Sequence, residues 1–300
     1  MKGIRYLSWF LTFVLFFLIG KAYGEKLVDT LDELEKIYPP SSVCAGCHAN
    51  IFEQWKVSLH QESILHSIGG LRNFIKFGIE GEPERKARAE KPGGLKAELM
   101  KCFTCHAPQL ELASDKLIKE IADAIVAFAD KKDPQAKAKL ERLNVSCYVC
   151  HNLKALHPPE RPEKNVIYGV KGTGTSPFHV VKKHGFLQNS NFCMQCHGVF
   201  VAPDGEPIMC NTLSQSYRDH YVAMGGQKTC QDCHMKAKNR GHTFPGAYNL
   251  DTLREGIGIN VDVRQLVDLN PTLPKEQQWR PAAKVVVDLI NNAGHRIPDG

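Results

Sequence analysis

Beyond its first two dozen residues the 300-residue chain has no apolar run that approaches membrane-spanning length. That leaves a mature protein that is soluble or attached to a surface. Cysteine stops at Cys233, so the last fifth of the chain supplies no thiol. Only one of the 11 cysteines, Cys210, stands outside a repeated motif, and it is expected to be a small buried hydrophobe. Methionine is scarce, with 6 residues against 13 histidines. No Cys-x-x-Cys-Lys box is present.

What is present is one pentapeptide, five times. Cys44-Ala45-Gly46-Cys47-His48 recurs as Cys102 to His106, Cys147 to His151, Cys193 to His197 and Cys230 to His234, each with the thiols at the first and fourth positions. The spacing is that of c-type haem attachment: two thiols for two vinyl groups, and a histidine placed under the iron. Cys44, Cys47, Cys102, Cys105, Cys147, Cys150, Cys193, Cys196, Cys230 and Cys233 are therefore the expected attachment points. His48, His106, His151, His197 and His234 are the expected proximal ligands of five covalent haems c. Zinc ribbons use C-x-x-C pairs two at a time, and an odd number leaves one over. A thioredoxin-like redox centre has no need of the following histidine.

One haem per 60 residues is dense for an ordinary apolar core. The sequence therefore predicts a mainly α, haem-organised fold with extensive loops, in which porphyrin supplies much of the buried area. The formal charge of +6 is no sign of nucleic-acid binding. Ten ionised propionates would take +6 to −4, and removal of Lys2, Arg5 and Lys21 with a leader would take it to about −7. Basic groups such as Lys182, Lys183, Lys236 and Lys238 are expected to screen propionates.

Residues 1–24 have the form of a secretory signal peptide: Lys2 and Arg5, an apolar stretch from Trp9 to Ile19, and small residues at Ala22 and Gly24. An uncleaved anchor is the alternative. Export agrees with the boxes, since c-type haem is attached outside the cytoplasm. A pentahaem domain is expected over 25–248, with a helix over 25–38, another from Asn50 to Ile68 closed by Gly69-Gly70, a surface connection or a short interrupted helix over 82–99, and helices over 117–128 and 140–143. Residues 157–178 predict a long loop wrapping a haem edge, and 211–224 a helix. Over 249–300 the alternations Ile257, Ile259, Val261, Val263 and Val285, Val287, Leu289 predict half-buried strands. This small β segment packs on the haem domain, pairs with another chain, or is incomplete.

Eight histidines lie outside the boxes, a surplus over five distal positions. Met1 leaves with the leader, Met194 lies inside a box and Met235 follows a proximal histidine, so only Met100, Met209 and Met224 could compete. Mostly bis-histidine ligation and low potentials are expected. His60, His184, His242 and His295 rank first as distal ligands. His66, His179, His157 and His220 compete for the fifth position, and His220, between Tyr217 and Tyr221, also marks where an open haem could lie.

The segment from Cys44 to His60, with Trp55 and Ser58-Leu59-His60, resembles the opening of multihaem cytochromes related to hydroxylamine oxidoreductase and its tetrahaem electron acceptor. His184 with Phe192-Cys193, Cys230 to Met235, Gly241 to Gly246 and Asn292 to Gly300 are similar to later segments of such proteins. The resemblance implies close-packed porphyrin pairs, electron transfer, and distal roles for His60, His184, His242 and His295. The missing lysine box departs from the pentahaem nitrite reductases, and nothing marks Tyr217 or Tyr221 as a cross-linking tyrosine. The expected function is thus electron transfer in the periplasm or at the cell surface, with donor and acceptor cytochromes or quinol-linked complexes as partners and no nucleic acid. A multihaem oxidoreductase for a small nitrogen or sulfur compound, and a subunit of an extracellular cytochrome filament, are the alternatives. Membrane-surface association and a homo-oligomer stay open.

Overall fold

A computed structural model describes residues 27–157, 160–172 and 174–299. The expected leader, residues 1–24, and the prolines Pro158 and Pro159 lie outside the described residues. Among the described residues no helix is long and apolar enough to cross a membrane. The chain is mainly helical with three small sheets.

The first half folds around an apolar core of its own. Helix α1 (Leu31–Ile37) starts at Thr30, whose hydroxyl accepts the Glu33 N–H, and turns Leu31 and Leu34 inward. It stops at Tyr38, ahead of Pro39-Pro40. Helix α2 (Ser42–Lys56) carries the first box and Trp55, whose indole N–H donates to Val145 O at 2.9 Å. The predicted long helix to Ile68 breaks up. After α2 come turns, then α3 (Ser63–His66), α4 (Ile68–Asn73) and a π-turn over Phe74–Ile79. Gly69-Gly70 sits inside α4 instead of closing a helix. The charged stretch takes the second of its two readings, an interrupted helix: α5 (Pro83–Ala89) and α6 (Gly94–His106).

Helix α7 (Asp115–Lys131) is the clearest amphipathic element. Ser114 caps it, and Leu117, Ile118, Ile121, Ala122, Ala124 and Ile125 form one buried face. It ends where Lys132 takes a left-handed φ of 54°. Asp133 then accepts N–H groups from Gln135 and Ala136 and starts α8 (Pro134–Leu140), earlier than the 140–143 expected. Leu34, Ile64, Leu99, Phe103, Leu110, Leu117, Ile121, Ile125, Leu140 and Leu143 interlock, each almost fully buried. The long intervals around the second box leave room for this core, so porphyrin need not replace it there. Ile121→Ala removes three buried carbons from this cluster. It is expected to cost about 2–5 kcal/mol, measured as a lower denaturant midpoint with unchanged slope.

The second half has less apolar packing: Ala155, Leu156, Val166, Tyr168 and Leu187 form a small cluster. The predicted loop over 157–178 contains β1 (Val166–Gly169) and β2 (Gly174–Thr175), both paired with β3 (Val180–Lys183) in the order β1-β3-β2. Helix α9 (Ser190–Met194) precedes the hairpin β4 (Phe200–Val201) and β5 (Pro207–Ile208). Buried Lys101 of α6 holds that hairpin, donating to Asp204 and Glu206, each at 2.7 Å, and to Glu98 at 2.9 Å. Helix α10 (Leu213–Tyr217) runs into a π-turn over Arg218–Val222. Helix α11 (Leu250–Gly256) leads into a ribbon of β6 (Ile257–Leu269) and β7 (Trp279–Asn291). Its strands are exposed along nearly their whole length, where half-burial was expected.

Candidate haem-binding site

Each box occupies a helical turn. The first lies in α2, with its histidine at a kink (His48, φ −117°, ψ 39°). The second ends α6. The third and fifth run into the π-turns Val149–Leu153 and Asp232–Lys236. The fourth spans α9 and the turn after it. A helical turn is what the spacing needs, because positions three apart share a face and the next residue projects beside them.

The tertiary fold then sets histidines opposite these boxes. His60 faces His197 with ring centres 6.1 Å apart, His242 faces His151 at 6.2 Å, and His295 faces His234 at 6.2 Å. The first pair is perpendicular; the other two lie within 28° and 16° of parallel. Stacked rings would approach closer. Two imidazoles sharing one metal ion, with metal–nitrogen bonds of roughly 2 Å on each side, place their ring centres about 6 Å apart. His106 has no ring contact of this kind, but His66, at the end of α3, lies near enough to disfavour its protonation. The ring of His66 in turn meets Tyr248 edge-on at 5.0 Å.

Four of the outer nitrogens are held as ligating imidazoles require, while the buried Nδ1 of His60 has no hydrogen-bond partner among the described residues. His151 Nδ1 meets Tyr168 O at 2.8 Å, His234 Nδ1 meets Pro245 O at 2.9 Å, and His295 Nδ1 meets Arg296 O at 2.9 Å. His106 Nδ1 lies 3.0 Å from Ser63 O and 3.1 Å from Ser67 Oγ. With the proton on Nδ1 donated to a carbonyl, the Nε2 lone pair is free to bind metal. Burial disfavours the charged form of His106, His151, His197 and His234. Burial, and then the facing imidazole, takes His60 and His242 down to about 4.

That shift has a sign. A histidine whose folded pKa lies below the unfolded 6.5 costs stability when the unfolded chain gains a proton that the folded chain refuses. The protein is expected to hold its denaturation midpoint above pH 6.5 and to lose stability as pH falls from there towards 4. A midpoint flat between pH 7 and 4.5 would contradict this.

One short loop serves three of the sites. In Gly241-His242-Thr243-Phe244-Pro245-Gly246, His242 faces His151, Pro245 anchors His234, and the Phe244 ring lies 4.7 Å from His60 and 5.6 Å from His242. Gln54 of α2 fixes the loop by accepting the His242 N–H at 2.9 Å. Gly241 has φ +56°, and an added Cβ would run into Gln54.

The boxes also touch each other. The thiols of Cys44 and Cys147, Cys105 and Cys196, and Cys193 and Cys230 lie close enough to shift each other's titration. In these pairs Cys147 and Cys230 are held down at about 6, while Cys44, Cys105 and Cys193 are driven up. Burial pushes Cys102 and Cys150 up to about 12. Cys150 also feels Cys196, so the fourth box adjoins the second, third and fifth, and the first adjoins the third.

No known family, curated protein or solved structure matches this chain. The site therefore rests on its own geometry.

Other predicted ligands stand differently. His184 has Nε2 3.5 Å from a Glu160 carboxylate oxygen, and its Nδ1 accepts the Phe186 N–H at 3.4 Å. It meets Tyr168 and Phe186 edge-on instead of a box histidine. His179 is partly buried, and its Nδ1 has no hydrogen-bond partner among the described residues. His48 is exposed and makes no ring contact with another imidazole among the described residues. Arg296 donates to His220 Nε2 at 3.3 Å, and His157 meets Phe186 at 5.1 Å. Met209 and Met224 are exposed, Met100 packs against the first-half core, and Cys210 is exposed, where burial was expected. Sequence reasoning did not reach Gln54, Phe244 or the carbonyls of Tyr168 and Pro245. Backbone acceptors leave no trace in residue type.

The donor set fits haem c. Thiols three apart on a helical turn are followed by an imidazole, whose outer nitrogen is anchored in His106, His151 and His234, and three of the five such imidazoles have a second one across a metal-sized gap. Among the described residues no three His, Cys, Asp or Glu side chains cluster as a metal-ion cage would require. The pattern is pairs of imidazoles that face each other across a gap and would hold a haem from its two sides.

Proposed function

We propose that this chain is an exported electron-transfer protein that carries five covalently attached c-type haems, most of them held between two histidines. The observation that carries the proposal is the facing of His197, His151 and His234 by His60, His242 and His295 at 6.1–6.2 Å. When bound, the haems supply one-electron chemistry, and the protein supplies spacing, axial ligands and dielectric. Cys44, Cys47, Cys102, Cys105, Cys147, Cys150, Cys193, Cys196, Cys230 and Cys233 are the attachment points. Contacts between boxes support a continuous path, from the first through the third to the fourth, with the second and fifth joined to the fourth. The partners are redox proteins that donate and accept single electrons. A relation to the multihaem cytochromes of the hydroxylamine oxidoreductase superfamily is part of the proposal.

The test is spectroscopic. Exported protein made with the haem-attachment machinery is expected to be heavier than its polypeptide by five haems. Its iron should be mainly low-spin, and the reduced form largely indifferent to carbon monoxide. A bare polypeptide mass would end the proposal. A dominant high-spin, carbon-monoxide-binding spectrum would replace it with an enzyme acting at an open haem.

A further inference from the structure

The ribbon β6–β7 carries a surface that the haem reading does not use. Thirteen residue pairs run in antiparallel register from Ile257↔Asn291 to Leu269↔Trp279. Opposed residues share a face, and alternate residues along a strand share a face. One face therefore consists of Ile257, Ile259, Val261, Val263, Gln265, Val267 and Leu269 with Trp279, Pro281, Ala283, Val285, Val287, Leu289 and Asn291. It carries no charge. The opposite face carries Asp262, Arg264, Asp268, Arg280, Lys284 and Asp288, three of each sign.

A two-stranded ribbon is marginal in water without a second layer. Among the described residues no second layer covers it: Ile259, Val261, Val263, Val267, Val287 and Leu289 are each 52–70% exposed. We infer that the apolar face of β6–β7 packs on the same face of a second copy of this chain, making a four-stranded sandwich about a two-fold axis. The area agrees. Nine large apolar side chains of the face, from Ile259 to Leu289, stand 48–70% exposed, a surface on the scale of the roughly 800 Å² per partner of a standard interface. The valine ladders Val261–Val287 and Val263–Val285 form a β-branched surface that can meet its own copy at sheet-packing distance. The balanced outer face excludes the strong basic character that an anionic membrane or a nucleic acid would select. The base of the ribbon is tied to the candidate haem region, because Asn292 N donates to Gly256 O at 2.8 Å and Asn291 Nδ2 to His295 O at 2.9 Å. The pairing would therefore fix the orientation of the segment bearing His295.

Sedimentation of the exported, haem-loaded chain over a concentration series tests this. The expected species has the mass of two chains. Val261→Asp with Val287→Asp places uncompensated charge in the buried face and should weaken association roughly a hundredfold or more. The haem count and low-spin spectrum should stay unchanged, which shows that the variant has folded. Asp262→Lys, on the outer face, should leave the dimer intact. A monomeric wild type at about 100 µM, a dimer indifferent to the double substitution, an assembly larger than two, or binding of the wild type to neutral phosphatidylcholine vesicles through this face would each overturn the inference. A haem count below five in the wild type would fault the proposed electron-transfer site and not the interface.

Discussion

Cys193→Ser with Cys196→Ser is expected to yield protein lighter by one haem and to reduce the recovered exported product severely. The reason is position. Cys193 lies beside Cys230 and Cys196 beside Cys105, close enough to shift each other's titration, while Cys150 of the third box feels Cys196. Removing the group held there should therefore empty the space that three other boxes pack against. The second half of the chain has little else to fill it, since its apolar cluster is five side chains. The matched variant, Cys44→Ser with Cys47→Ser, should also lose one haem but be recovered in good yield. Its box meets only the third, and Cys47 is exposed. The first half of the fold keeps the core built on α7 regardless. Mass spectrometry of both exported products, with yield compared to wild type, checks the contrast. Equal yields would mean that the boxes do not form the skeleton of the second half.

His242→Met is expected to raise the potential of one haem by on the order of 0.1–0.3 V, within the roughly 0.8 V that axial ligands span. A thioether stabilises ferric iron less well than an imidazole does. His242 is the better test than His60 because its surroundings are fixed: Gln54 holds its backbone, Phe244 lies against its ring, and His151 opposite is anchored through Nδ1. His184→Met should leave every potential within a few hundredths of a volt of wild type, by the same axial-ligand reasoning. Its ring lies against Glu160 and Phe186 and opposes no box histidine. The two variants together separate ligand histidines from those that merely line the fold. A redox titration followed in the visible bands reads both. A shift in the His184 variant comparable to that of the His242 variant would reverse the assignment.

These contrasts also show where residue types stop being informative. The boxes are legible because their chemistry is local: thiol, thiol and imidazole lie within one helical turn, and no tertiary contact is needed to bring them together. The amphipathic face of α7 is legible for a similar reason, since Leu117, Ile118, Ile121 and Ile125 repeat at the helical period. The helix expected from Asn50 to Ile68 failed because periodicity does not see where Trp55 is pulled to Val145 and where His60 O accepts the Val145 N–H. These long-range bonds turn the chain and override local preference. The strands within 157–178 were missed because their partner, β3, begins only at Val180 and their own length is two to four residues.

By itself the sequence determined the count and place of the attachment boxes, the surplus of imidazole over thioether, the mainly helical character and the alternation of the C-terminal strands. All of these are set by neighbours within a few residues. Only the tertiary structure decided that His60 stands across from His197, His242 from His151 and His295 from His234, which boxes touch, and that the ribbon projects with its apolar face uncovered. Partners so distant in the chain meet only when the elements between them have packed, and no local pattern encodes that outcome.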